Sequence, residues 1–265
     1  MNILFIGDIV GKLGRDVASY MINRLSGRRP IDFIIANGEN ATHGKGLNEE
    51  HFKELLEAGI DVVTLGNHFA SKKEIFNFID RYDCLLRPYN VHESVPGIGT
   101  NLFTVNGIRI RVTNLMGRSF MAMQVGNPFD DLQKILIEDE GKSDLHIVDF
   151  HAEATGEKYA LAYAFDGQIS ALLGTHTHVQ TRDNRILEKG TAYISDVGMC
   201  GPYNSILGTR KEEVITRTWT GLPSHFEMID HDECLFSAVV LEFDDATFEC
   251  LSIEPLYEII EEEEL

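Results

Sequence analysis

The chain has 265 residues, of which 43% are hydrophobic, and a formal net charge of −19 at pH 7. That length and apolar content suffice to bury a full core and predict one or at most two domains. The negative charge argues against an extended nucleic-acid-binding surface, which depends on basic patches, but does not exclude a small phosphorylated substrate. No secretory signal, membrane-length apolar run or Cys-x-x-Cys motif is seen, so we expect a cytoplasmic protein with reduced thiols.

The predicted elements alternate between strands and helices through the first part of the chain. Short apolar runs predict buried strands at 3–6, 33–36, 62–65, 147–148 and 169–173, and helical periodicity predicts helices at 14–25, 49–58, 71–79, 130–137 and 157–164. Asn48 is positioned to cap the second helix, and the Ser71-Lys72-Lys73-Glu74 stretch fits a capping box for the third.

Antiparallel strands are predicted in the later part of the chain. Asn106-Gly107, between apolar runs at 102–105 and 108–112, predicts a hairpin with a type I′ turn. Further strands are expected at 193–195, 236–243 and 248–253, and the acidic tail at 258–265 is interpreted as solvated or frayed. With no internal repeat or linker in view, we expect one domain over residues 1–265, built from two packed sheets flanked by helices.

Five short polar signatures each follow an apolar run directly. In an α/β sheet, residues just past the strand ends gather in one crevice, so these side chains are expected to converge. They are Asp8, Glu39, Asn40, Asn67, His68, His151, His176 and His178. Oxygen and imidazole donors without a thiolate predict a metal site, and eight donors are too many for one ion. Two divalent cations against two carboxylates leave a charge of about +2, and a bridging hydroxide leaves about +1, which suits a phosphate dianion or diester.

The His176-Thr177-His178 element has two interpretations. In an extended backbone, residues two apart point the same way, so both imidazoles can reach one cavity. A pair of buried, hydrogen-bonded histidines in a strand is the alternative, and the donors at the other strand ends favour metal binding.

Two other functions stay open from the residues alone. One is a metal-dependent hydrolase of a non-phosphate bond, such as an amidohydrolase, although there the His-x-His pair typically comes on the first strand. The other is a signalling or scaffold protein that keeps a structural metal site. A closed structural site would have no use for an additional histidine such as His68.

The ordered motifs resemble the calcineurin-like metallophosphoesterase superfamily, and more closely its bacterial YmdB-like branch. The resemblance runs through nearly the whole chain and is carried by Gly-Asp-Ile-Val-Gly at 7–11, Asn-Gly-Glu-Asn-Ala-Thr-His-Gly-Lys-Gly at 37–46, Asp-Phe-His-Ala-Glu-Ala-Thr at 149–155 and Gly-Thr-His-Thr-His-Val-Gln-Thr at 174–181. It implies a four-layer α/β/β/α sandwich with a dimetal site at the strand ends. It also implies phosphodiesterase activity on small phosphodiesters such as 2′,3′-cyclic nucleotides. Iron or manganese are the expected ions, and zinc is an alternative. The sequence leaves open whether the protein forms a homo-oligomer.

The resemblance also implies roles for individual residues. Asp8, Glu39, Asn40 and His178 would bind the first metal, Glu39 would bridge, and Asn67, His151 and His176 would complete the second. A hydroxide bridging the two cations would attack phosphorus, with His68 as proton donor to the leaving oxygen; a third imidazole ligand is the alternative for His68. The superfamily pattern begins Asp-x-His, whereas position 10 here is Val10, and Phe69 stands where an acid is usual.

Several further residues are candidates for supporting roles. Metal-bound imidazoles usually donate their other N–H to a carboxylate or carbonyl, which points to Asp149, Glu153 and Asp196. Lys45, Arg182, Asn184 and Arg185 lie beside the motifs and are candidates for substrate contact, with plain surface roles as alternatives. Structural or solvent-facing positions are expected for His51, His92, His146, His225 and His231.

Overall fold

The computed structural model describes residues 1–223, 227, 229 and 231–265. The helices in this part are α1 (Gly11–Ser26), α2 (Glu49–Glu57), α3 (Pro128–Glu138), α4 (Thr155–Ala164) and α5 (Lys211–Thr220). The strands are β1 (Asn2–Ile6), β2 (Asp8–Ile9), β3 (Phe33–Asn37), β4 (Val62–Thr64), β5 (Leu85–Leu86), β6 (Thr100–Val105), β7 (Ile108–Met116), β8 (Leu145–His151), β9 (Ala171–Thr175), β10 (Arg185–Ile186), β11 (Ala192–Ile194), β12 (Met199–Pro202), β13 (Cys234–Phe243) and β14 (Cys250–Ile260). Short 3₁₀ turns occur at Lys73–Asn77, Ile79–Arg81 and Glu262–Glu264.

The strands form two mixed sheets. The first has the order β2-β12-β13-β1-β3-β4-β5, with β14 paired to β13, and the second has the order β10-β11-β9-β8-β7-β6. In the first sheet β1, β3, β4 and β5 run parallel, and in the second β7, β8, β9 and β11 run parallel. Parallel strands end at a common edge, so the residues that follow them are brought together there.

The apolar interior lies between the sheets and between each sheet and its helices. Phe5 of β1 belongs to a buried cluster with Ile147 of β8, whereas its neighbour Leu4 belongs to another with Val17 of α1. A third cluster joins β8 to α3 and α4. Successive strand residues point to opposite faces, so both faces of β1 are covered, which explains its uninterrupted apolar run. The predicted α/β class with two sheets is confirmed.

Several local predictions are confirmed. The Asn48 side chain accepts a hydrogen bond from the backbone N–H of His51 at 2.8 Å and so caps α2. Asn106 and Gly107 have φ values of 53° and 85°, as a type I′ turn between β6 and β7 requires. Helix α1 starts at Gly11, three residues before the predicted 14–25. Helix α3 starts two residues before the predicted 130–137, where Asn127 caps it and Pro128 opens it.

The helix predicted at 71–79 is wrong. The segment forms two 3₁₀ turns instead, and no side chain caps the first of them. Ile75 and Phe78 are both buried in the cluster against α2, and a 3₁₀ turn places residues three apart on one face. The Ser71 side chain lies 3.4 Å from His68 Nδ1 instead of capping the segment, so the helix lacks the start that the capping box predicted.

The prediction for the acidic tail is wrong as far as residue 260. Strand β14 pairs with β13 up to Ile260, which is buried opposite Cys234, and Glu258 forms an ion pair with Arg24 at 3.3 Å. The ladder with β13 therefore orders a segment whose charge alone suggested a frayed end.

Candidate metal centre

The predicted site residues meet where the parallel strands of both sheets end. Asp8 begins β2, one residue after the end of β1; Glu39 and Asn40 follow β3, and Asn67 and His68 follow β4. His151 ends β8, and His176 and His178 follow β9. Asp8, Glu39, Asn40 and His151 are buried, and the other four side chains are half-buried. The convergence expected from the sequence is therefore observed.

One group of donors surrounds the ring of His151. Its Nε2 lies 2.9 Å from Asn67 Oδ1, 3.1 Å from His176 Nδ1 and 3.2 Å from Glu39 Oε1. Its Nδ1 lies 2.9 Å from Thr175 Oγ1, which orients the ring. Donor atoms bound to one cation at about 2.1 Å lie roughly 3 to 3.5 Å apart, so this spacing fits a metal ion. Among the described residues, Glu39, His151 and His176 form a group able to hold one.

A second group surrounds His178. Its Nε2 lies 3.2 Å from Asn40 Nδ2 and 3.8 Å from Asp8 Oδ1. Asp8 Oδ1 and Asn40 Oδ1 are buried oxygens without a hydrogen-bond partner, a costly arrangement unless another group, such as a cation, binds them. Glu39 Oε1 accepts a hydrogen bond from Asn40 Nδ2 at 3.2 Å and so connects the two groups.

The buried carboxyl and imidazole groups of the site shift one another's pKa values. Burial would raise the pKa of Glu39, but the adjacent His151 holds it well below its usual range. Burial would lower the pKa of His151, but Glu39 and Asp8 hold it well above its usual range. Burial raises the pKa of Asp8 to about 6, and burial together with the charge of His151 lowers the pKa of His176 to about 3. At neutral pH the carboxylate of Glu39 and the lone pairs of His176 are available as ligands.

Two glycines allow the close packing of the site. A Cβ on Gly66 would lie 2.3 Å from His151 Nε2 and 2.5 Å from Glu39 Oε2. A Cβ on Gly7 would lie 2.1 Å from the carbonyl oxygen of Gly198, against which the chain passes before Asp8. The glycine that follows or ends the strand in these motifs is therefore required by the approach of the neighbouring element.

The backbone of the His-Thr-His element differs from the prediction. Strand β9 ends at Thr175, and His176 and His178 have φ values of 103° and 67°. The expectation of an extended backbone is wrong, although both imidazoles do reach the donor groups. The backbone N–H of His176 donates to Asp8 Oδ2 at 3.0 Å, so the left-handed turn is bonded to the site itself.

His68 lies beside the donor groups, held by its backbone. Its N–H donates to Glu39 Oε2 at 2.8 Å, and its Nδ1 lies 3.4 Å from Ser71 Oγ. Burial lowers the pKa of the His68 imidazole. Ser71, expected to cap a helix, is therefore a neighbour of this histidine.

The supporting candidates divide into two sets. Asp149 accepts hydrogen bonds from Thr64, Thr175 and Asn37 in the buried layer behind His151, and Glu153 Oε2 lies 3.1 Å from His176 Nε2. By contrast, Asn184 donates to the carbonyl of Ile253, Arg185 donates to Tyr163 Oη, and Arg182 and Lys45 are exposed. His146 is buried beside Thr113, as expected for a structural residue, and His225 lies outside the described residues.

Sequence reasoning missed three polar residues in the buried layer behind the site. Asn37 Nδ2 donates to Asp149 Oδ2 at 3.0 Å and Asn37 Oδ1 accepts from the N–H of Glu39 at 3.1 Å. Thr64 Oγ1 donates to the same carboxylate, and Lys158 of α4 is fully buried. The available signal was a polar residue inside an otherwise apolar strand, at positions 37 and 64.

The fold matches solved structures of phosphate-ester enzymes. A crystal structure described as a novel phosphatase from Mycoplasma pneumoniae superimposes with a TM-score of 0.92 at 37% identity, covering 100% of this chain and 95% of that one. A 5′-nucleotidase precursor from Thermus thermophilus shares the fold alone, with a TM-score of 0.57 at 14% identity, covering 100% of this chain and 55% of that one. Fold and site together define a protein of the metallophosphoesterase type.

The sequence comparisons narrow that class to a family. The family model for YmdB-like proteins matches residues 4–256. A Bacillus subtilis (strain 168) protein named 2′,3′-cyclic-nucleotide 2′-phosphodiesterase is 47% identical over 254 residues, which is 96% of this chain and 96% of that relative. The chain belongs to the YmdB-like family, as the motifs indicated. Within the described residues, no helix has both the length and the apolar character needed to cross a membrane.

Proposed function

We propose that this protein is a dimetal phosphodiesterase that hydrolyses small phosphodiesters, with 2′,3′-cyclic nucleotides as substrates. The observation that carries the proposal is the convergence of seven oxygen and imidazole donors, two of which, Asp8 Oδ1 and Asn40 Oδ1, are buried without a hydrogen-bond partner. We take residues 1–265 as one metallophosphoesterase domain, in which the two sheets and their helices make four α/β/β/α layers.

The donor chemistry supports two cations with different ligands. Asp8, Asn40 and His178 would hold the first, while Asn67, His151 and His176 would hold the second. Glu39 would bridge them, in keeping with its position between the two donor groups. Mixed carboxylate, amide and imidazole donors suit iron or manganese, with zinc as a further option.

The metals would supply the Lewis acidity that activates water and offsets phosphate charge. The protein's own residues would set the geometry. Thr175 Oγ1 fixes the ring of His151 through Nδ1, and Asp149 holds Thr175 from behind at 2.7 Å. Such partners orient a ligating imidazole so that one nitrogen faces the site.

His68 would protonate the leaving oxygen. Its backbone is bonded to Glu39 at 2.8 Å, which keeps it next to the bridging residue, and Ser71 Oγ near Nδ1 leaves Nε2 for the substrate. Burial lowers the pKa of His68, which makes its imidazolium a stronger acid. An alkoxide leaving group such as a ribose oxygen needs that proton.

The substrate class is supported by the chemistry of the site and by a relative. Two cations facing two carboxylates leave positive charge for a singly charged diester. The Bacillus subtilis relative is named for cleavage of 2′,3′-cyclic nucleotides at the 2′ position. The −19 net charge of the chain agrees with a small substrate, since no extended basic surface for nucleic acid is needed.

The proposal is tested by hydrolysis of 2′,3′-cyclic AMP. Chelator-treated protein should be inactive, and added Mn²⁺ or Fe²⁺ should restore turnover to the 3′-monophosphate. Glu39→Gln should abolish turnover, whereas Glu188→Gln, at an exposed position, should match wild type. Failure to hydrolyse this substrate and bis-p-nitrophenyl phosphate with any of manganese, iron or zinc would contradict the proposal.

A further inference from the structure

Helix α4 places a charged side chain in the interior behind the candidate metal centre. Lys158 is fully buried, and its Nζ donates to Asp196 Oδ2 and to the carbonyl oxygen of Thr175, both at 2.9 Å. Lysine is almost never fully buried unless paired, since removing its charge from water is costly. A leucine or methionine at this position could pack α4 without the cost of burying a charge. The buried lysine therefore requires another explanation.

Asp196 also forms a hydrogen bond with the turn that contains His176 and His178. Its Oδ2 also accepts a hydrogen bond from the backbone N–H of Thr177 at 2.9 Å. Lys158 thus holds the residue before His176, and Asp196 holds the residue after it. The ion pair therefore forms hydrogen bonds with the backbone on both sides of His176, the second of them directly before His178.

Asp196 is also connected to strand β2, through Gly198. Its Oδ1 accepts a hydrogen bond from the N–H of Gly198 at 2.9 Å, and the carbonyl oxygen of Gly198 accepts one from the N–H of Asp8 at 2.9 Å. One buried carboxylate therefore connects the backbone of two segments that belong to different sheets. These segments supply three of the proposed ligands.

The turn needs such support because of its backbone conformation. His176 has φ 103° and His178 has φ 67°, a region that residues with a Cβ occupy only when their surroundings determine it. Without fixed partners for Thr175 and Thr177, the segment has more favourable conformations available, and in those the two imidazoles point elsewhere.

We propose that Lys158 and Asp196 are positioning residues for the metal centre, an ion pair that holds His176, His178 and Asp8 in their ligating arrangement before metal arrives. The inference rests on the proposed function, since it assumes that these residues bind metal. It adds a requirement outside the ligand set: metal affinity depends on a lysine whose hydrogen bonds go to Thr175 and Asp196.

The test is Mn²⁺ titration of chelator-treated Lys158→Met, with binding followed by calorimetry rather than by activity. Loss of a residue that orients ligands typically weakens metal binding by about 10- to 100-fold, and that range is expected here. Lys158→Gln, which keeps an N–H donor for the Thr175 carbonyl, should fall between Lys158→Met and wild type.

Arg111→Met is the matched control. Arg111 pairs with Asp139 at 2.5 Å, and the two side chains are 14% and 5% exposed. Arg111 lies opposite His146 near the start of β8, whereas His151 of the candidate metal centre ends that strand. We expect Arg111→Met to lower the melting temperature as Lys158→Met does, yet to bind Mn²⁺ like wild type. Equal loss of affinity in both variants would show a general effect of stability and overturn the inference.

Hydrogen exchange provides a measurement that needs no variant. In metal-free wild type the amides of Thr177 and Gly198 should already exchange slowly, because Asp196 holds both. Fast exchange that becomes slow only with metal would overturn the inference. If wild type binds none of Mn²⁺, Fe²⁺ and Zn²⁺, the proposed function itself fails; if wild type and Lys158→Met bind the metal equally, only the positioning role fails.

Discussion

Replacing Gly66 with alanine should disable the site with a single methyl group. The new Cβ would lie 2.3 Å from His151 Nε2 and 2.5 Å from Glu39 Oε2, where ordinary contact begins at 3.4 Å. The shortfall is about 1 Å, and neither neighbour can yield easily. His151 is fully buried and held through Thr175, and Glu39 is bonded to the backbone of His68.

The magnitude follows from that displacement. Moving a reacting group or ligand by about 1 Å can lower the rate by about 10²-fold, so kcat/KM should fall by at least this factor. Overpacking a buried position costs about 1–3 kcal/mol of stability. In proteins of about 150–250 residues, each kcal/mol of lost stability lowers Tm by about 2–4 °C.

The assay combines kcat/KM for 2′,3′-cyclic AMP with metal content and Tm. Gly156→Ala is the control, because a Cβ at that position in α4 meets nothing within 4 Å. It should leave activity unchanged and stabilise the protein by up to about 1 kcal/mol. A Gly66→Ala protein with two bound metals and activity within threefold of wild type would refute the reasoning.

Three further predictions concern single side chains. Glu39→Gln should weaken both metals and abolish turnover, whereas Asn40→Ala should mainly lower occupancy of one; elemental analysis of the two variants checks this, and two retained metals in Glu39→Gln would argue against a bridge. His68→Ala should keep both metals and lose about 10²–10⁴-fold in kcat on a cyclic nucleotide, but little on bis-p-nitrophenyl phosphate, whose leaving group departs unaided; equal losses on both substrates would remove the proton-donor role. Burial lowers the pKa of His146 from 6.5 to about 3, so the unfolded chain takes up a proton first as pH falls from about 6.5 to about 3, and stability is lost over that window. At pH 5 the loss in the free energy of unfolding is about 2 kcal/mol. His146→Gln should not show this loss when urea unfolding at pH 7.5 and at pH 5 is compared. The same pH dependence in the variant and in wild type would contradict the prediction.

The convergence of the donors could be predicted because each group of donors follows an apolar run. Asp8, Glu39 and Asn67 follow buried strands, and a polar residue at such a point is exposed to the common edge of a parallel sheet. The period of the strands and the position of the glycines are local properties, so a single sequence contains them. Two sheets with helices packed against them follow from the same pattern.

Asp149, Glu153 and Asp196 were candidates from their places in the sequence, but the other supporting residues could not be predicted in that way. The hydrogen bonds of Lys158 to Thr175 and Asp196 join residues from separate segments and form only in the folded chain. The left-handed backbone of His176 likewise depends on tertiary hydrogen bonds and overrides the extended form that its spacing suggested. The 3₁₀ turns after Ser71 show the same dependence, since the Ser71 side chain lies beside His68 and caps no helix.

The most direct test of a dimetal phosphodiesterase is a metal titration followed by turnover. Mn²⁺ is added in known equivalents to chelator-treated protein, and hydrolysis of 2′,3′-cyclic AMP is measured at each step. Two groups of donors joined by Glu39 predict that activity rises to a plateau at two equivalents per chain. A plateau at one equivalent, or full activity without added metal, would contradict the account.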